Sequence, residues 1–113
     1  MAEEHDHAGA HVRVETTSDT RESADDLARS VIDRRLVACA QVEAPITSYY
    51  RWEGEVCADQ EWRVVMKTAR DRLGDLVEHL RSVHSYDVPE VIAVPVEGGN
   101  RAYLDWLVEE TRP

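Results

Sequence analysis

From Ile46 to Thr68 the chain is rich in β-branched and aromatic residues, interrupted by one turn signal, Glu53-Gly54-Glu55. Tyr49, Tyr50, Trp52 and Trp62, four of the seven aromatic residues, fall inside it. Such a stretch reads as one long β-hairpin, with a bulge expected near Asp59. A hairpin this long in a chain of 113 residues leaves an aromatic strand pair open to solvent unless something covers it. Either the rings pack on the chain's own helices, or the hairpin pairs with symmetry mates in a closed homo-oligomer.

The remaining segments fit around that hairpin. Val12, Val14 and Thr16 alternate with polar residues, as in a half-buried strand. Asp19, with Glu22 three residues on, resembles a capping box. Ala24, Leu27, Ala28, Val31, Ile32 and Leu36 then recur at helical spacing, predicting a helix over 20–35. Val37–Val42 is a short buried strand that Pro45 bends or breaks. Asp71 is positioned to cap a second helix with Leu73, Leu76, Val77, Leu80 and Val83 on its apolar face; His79 is expected on the exposed side. Val88–Val96, with Pro89 and Pro95 at its ends, suits an edge strand. Asn100 caps a last short helix with Tyr103, Leu104 and Leu107 inward. The order βαββαβ plus a terminal helix is the α+β, ferredoxin-like arrangement. Residues 1–10 read as a flexible tail of His and acidic residues, and residues 11–113 as a single domain.

Charge narrows the partners. Thirteen Lys and Arg stand against 23 Asp and Glu, for a net charge of −10. Such a chain has no general surface for phosphates, so neither nucleic acid nor an anionic membrane is expected as a partner. No apolar run approaches the length of a membrane span. Two cysteines make no disulfide framework, and the polar, acidic start is unlike a signal peptide, so the cytoplasm is the expected location. There is no nucleophile elbow, HExxH or phosphate-cradling glycine loop, and no enzymatic activity is expected.

Several blocks together resemble one family: Arg35-Leu36-Val37-Ala38-Cys39, Thr47-Ser48-Tyr49-Tyr50-Arg51-Trp52-Glu53-Gly54, Lys67-Thr68, His84-Ser85-Tyr86-Asp87-Val88-Pro89-Glu90 and Tyr103-Leu104-Asp105-Trp106-Leu107. In this order and spacing they are similar to CutA, the divalent-cation tolerance family, over about Val12 to Glu110. The resemblance implies a homotrimer of ferredoxin-like subunits with interlocking hairpins, a link to copper and other divalent metals, and no established reaction. The architecture is also similar to that of the PII signalling proteins, which bind small effectors in clefts between subunits. Thr16 stands where many members carry a cysteine, and Ser85 where proline is usual.

Three sets of residues are candidates for chemistry. His84, beside a helix end, with Glu61 and Cys39, offers imidazole, carboxylate and thiolate to a divalent metal, and the Irving–Williams order favours copper. Equally, His84 can cap a helix C-terminus and Cys39 can be an inert core thiol. His5, His7 and His11 with the tail acids form a loose second donor set, or simply a solvated tail. Tyr50, Trp52, Lys67, Tyr86 and Glu90 make a third set, a ligand-binding cleft for a small effector. There Lys67, the only lysine, either meets an anion or pairs with Glu90.

Overall fold

The computed structural model describes residues 9–113. Nine elements follow in order: β1 (His11–Ser18), α1 (Arg21–Asp33), β2 (Cys39–Val42), β3 (Ile46–Trp52), β4 (Glu55–Ala69), a 3-10 turn (Arg70–Arg72), α2 (Leu73–Val83), β5 (Val91–Pro95) and α3 (Arg101–Glu109). The strands form one five-stranded antiparallel sheet. β4 lies beside β1, which pairs in turn with the edge strand β5. β2 and β3 follow one another along the other side of β4. They behave as two halves of one strand, so the βαββαβ order and the ferredoxin-like expectation hold. The donor part of the tail, His5 and His7, lies outside the described residues. His11 opens β1 and is buried, so it belongs to the sheet and not to a tail donor set.

Alternation along β1 and β4 builds the core. Val12 and Val14, with Val64 and Met66, face α1 and α2, where Ala24, Leu27, Val31, Leu76 and Leu80 meet them. Leu36 and Val37 close this cluster, and Trp62 packs against its rim. Thr68 Oγ1 donates to the Leu36 carbonyl at 2.7 Å, pinning the connection after α1 to β4. Val65, on the opposite side of β4, and Leu107 of α3 are buried outside this cluster.

Several local expectations shift. α1 is capped by Thr20, one residue later than Asp19; its hydroxyl accepts from Ser23 N–H at 3.0 Å. Asp71 does not cap α2, because the 3-10 turn intervenes; it forms a two-pronged pair with Arg112 at 2.7 and 2.9 Å instead. That pairing lowers the Asp71 pKa. Asn100 caps α3 as expected, accepting from Ala102 N–H. Within α3, Leu107 is buried but Tyr103 is exposed. β5 begins at Val91, after Pro89, and pairs with β1 alone, as an edge strand should.

The hairpin contains the largest correction. The pairing from Ile46 opposite Glu61 to Trp52 opposite Glu55 is regular, with no bulge at Asp59. The irregularity lies at Glu43–Pro45. Val42 faces Val64 while Ile46 faces Glu61, so three residues on one strand oppose two on the other. Glu43 N–H still reaches the Arg63 carbonyl, at 2.9 Å. Pro45, which has no N–H to offer the ladder, fits this break. At the tip, Glu53 and Gly54 both have positive φ, 50° and 82°, as a two-residue type I′ turn demands.

Replacing Thr20 by Ala removes the cap of α1 and is expected to cost about 1 kcal/mol, read by denaturant unfolding. A loss near zero would mean that water satisfies the Ser23 N–H as well as the Thr20 hydroxyl does.

Candidate functional site

β3 and the first half of β4 form an arm that stands away from the body. The molecule is 50 Å long but only 27 and 24 Å across. Tyr49 is 77% exposed, Trp52 51% and Tyr50 42%. The rings of the arm therefore do not pack on the chain's own helices; Trp62, at its base, does. By strand pairing, Tyr50 and Trp52 share a face with Cys57, Asp59 and Glu61.

That face carries a polar strip. The Tyr50 hydroxyl donates to Asp59, and the Tyr86 hydroxyl donates to Glu61 Oε2 at 2.7 Å. Each carboxylate stabilises the protonated phenol beside it. Tyr50 is pushed up to about 12, chiefly by the bond to Asp59. Tyr86 is raised as well, by burial first and then by Glu61. Glu61 is the buried acid of the pair.

His84 positions Tyr86. It follows α2, whose last turn its own N–H caps by reaching the Leu80 carbonyl at 2.9 Å. Its Nδ1 accepts from Tyr86 N–H at 3.0 Å. That leaves Nε2 as the protonated nitrogen, donating to the Thr17 carbonyl at 2.8 Å. The two rings lie 4.9 Å apart at 41°. His84 thus ties the loop after α2 to the end of β1, and Tyr86 is held against Glu61.

Of the expected metal set, His84 and Glu61 come together through Tyr86, while Cys39 does not join them. Cys39 pairs with Lys67, six residues along β4 from Glu61, or roughly 20 Å. It lies beside Tyr103, whose pKa is raised by burial first and then by this thiol. Among the described residues, no three His, Cys, Asp or Glu side chains converge as ligands around one ion.

The expected cleft divides in the same way. Tyr50 and Trp52 stand on the arm and Tyr86 at its base. Lys67 belongs to the far end of β4, where Nζ donates to Gln41 at 2.7 Å and makes no pair with Glu90. Glu90 is exposed, one residue before β5. Around Lys67 the sheet face away from α1 and α2 carries ion pairs: Arg13 with Glu15, and Arg63 with both Glu15 and Glu43.

Three partners escaped the sequence reading. Asp59 and Thr17 carry no local signal, since their importance arises only from strand pairing. His79 does carry one. It lies three residues after Leu76 and four before Val83, on the packed stripe of α2. It is half-buried and bonds the Ser30 hydroxyl of α1, contrary to the exposed position expected. Burial, and then Arg34, lower its pKa.

The model of the family described as CutA1 divalent ion tolerance protein matches residues 12–110. The chain is 42% identical to the divalent-cation tolerance protein CutA of Thermus thermophilus over 84% of its own length and 92% of the relative's. It is 43% identical to the chloroplastic protein CutA of Arabidopsis thaliana over 88% of its length, but spans only 54% of that relative. A solved Cut A1 structure from Thermus thermophilus superposes with a TM-score of 0.87 at 40% identity, covering 90% of this chain and 99% of that one.

Folding raises the pKa of Tyr50, so the stabilisation from its bond is complete below pH 10 and lost as pH rises towards 12. NMR titration of the labelled ring should show Asp59→Asn returning Tyr50 towards 10. Equal titration in both proteins would mean that the bond does not form in solution.

Proposed function

The chain belongs to the CutA1 divalent ion tolerance family, and from that premise we propose that it works as a homotrimer that binds divalent cations, copper foremost, in the cytoplasmic response to metal. The role is one of binding, without catalysis. The observation that carries the proposal is the exposed aromatic arm, since Tyr49, Tyr50 and Trp52 stand in solvent in a single chain. Ile92 and Val94 of β5 add apolar area on the sheet face away from α1 and α2. Large apolar surfaces of this kind favour association, and a closed ring covers them without leading to fibres.

The donors of one chain do not fit a transition-metal centre. Both nitrogens of His84 are occupied, Cys39 is remote, and no third ligand joins Glu61 among the described residues. Cation binding is therefore proposed as a property of the assembly, with Glu61 and His84 at the base of each arm as the nearest donors. His84 becomes a ligand only by giving up one of its two bonds. The net charge of −10 per chain raises the local concentration of any cation. The cytoplasmic assignment draws on Cys39 and Cys57, both free thiols.

Light scattering is expected to give three times the 12.9 kDa chain mass. The double variant Tyr49→Glu, Trp52→Glu should shift that mass towards one chain; an unchanged mass would remove the arm from the interface. Calorimetric titration with Cu(II) should saturate for the intact assembly and fail for a dissociated arm variant. Equal binding by both, or none by either, would overturn metal binding between chains.

A further inference from the structure

A cavity of about 320 Å³ opens where α1 ends and α3 ends, far from the arm. Ile32 and Val37 give it an apolar wall, Trp106 an aromatic one, and Asp33 and Glu110 two carboxylates at its mouth. Trp106 is held by Tyr103, their rings 5.5 Å apart, and remains 38% exposed. The C-termini of two helices border this region, and neither helix carries a basic residue in its last turn. Carboxylates, the negative ends of helices and an indole face all favour a positive charge.

One positive charge already stands there, under strain. Arg35 sits at φ 57°, the left-handed position that closes α1, with Leu36 N–H bonded to the Val31 carbonyl and Arg35 N–H to that of Ile32. Glycine fills this position without strain, and an arginine there is unusual. Its guanidinium reaches the Glu110 carboxylate at 3.7 Å and the Glu110 carbonyl at 3.5 Å. Both distances are long for a charged hydrogen bond, and both side chains are about half-exposed. Arg35 is thus a loosely held occupant, easily displaced.

We propose that this cavity binds small organic cations, a primary ammonium or guanidinium on a short apolar stem, and that Arg35 is the internal cation such a ligand replaces. The stem lies along Ile32, Val37 and the Trp106 ring, and the charge meets Asp33 and Glu110. No bond is made or broken, and no metal takes part.

Phenethylammonium is the probe, with 2-phenylethanol as its uncharged counterpart, followed on the full chain by the NMR signal of the Trp106 indole N–H. Saturable binding of the cation alone is expected. Arg35→Gly, which keeps the left-handed turn free of strain, should bind about tenfold tighter because the resident charge is gone. The double variant Asp33→Asn, Glu110→Gln should bind about tenfold weaker. Thermal melts of each variant confirm the fold. Equal affinity for the alcohol, no saturation, or affinities that ignore all three substitutions would overturn the proposal.

Discussion

Everything in this molecule hangs on β4. Its fifteen residues supply the hydrogen-bonding partner for β1 on one side and for both β2 and β3 on the other. Its second half is buried on both faces, with Val64 and Met66 toward α1 and α2 and Val65 on the opposite side. Its first half leaves the body with only β3 as company. A single continuous ladder therefore joins a well-packed core to an exposed arm. The arm is aimed by the same register that orders the core, and it inherits the stiffness of a paired strand.

Much of this order was legible from residue spacing. The apolar stripes of α1 and α2, the alternation of β1 and β4 and the Glu53-Gly54 turn each belong to one element, and local physics decides them. What escaped was set by neighbours distant in sequence. Thr20 takes the cap from Asp19 because it is the extended residue immediately before the helix begins at Arg21. Asp71 is drawn away from α2 by Arg112, forty-one residues on. Strand pairing puts Lys67 and Cys39 near the end of β4 opposite the arm. Composition says which groups a site could use; only the register says which end of the sheet they occupy.

The region around Tyr86 leaves few of its polar groups without a partner. His84 spends both nitrogens on backbone groups, and Tyr86 spends its hydroxyl on Glu61. The polar residues at the base of the arm therefore shape and stiffen it before they offer anything to a ligand. The hydrogen bonds explain what the block from His84 to Tyr86 does within one chain.

The extra residue at Glu43–Pro45 has a further consequence, one of parity. In β2 the even-numbered residues, Ala40 and Val42, lie opposite Met66 and Val64, on the side of α1 and α2. Past the bulge the even-numbered residues of β3 lie opposite odd-numbered residues of β4, so Tyr50 and Trp52 join Asp59 and Glu61. β4 itself runs without interruption and the two-residue turn holds Trp52 opposite Glu55, so the extra residue is absorbed wholly between Val42 and Ile46. Deleting one of the three would let the ladder run on regularly, with Tyr50 and Trp52 still on the carboxylate side. The extra residue therefore sets how the arm bends and twists away from the body, and leaves the face it presents to the uninterrupted strand beside it.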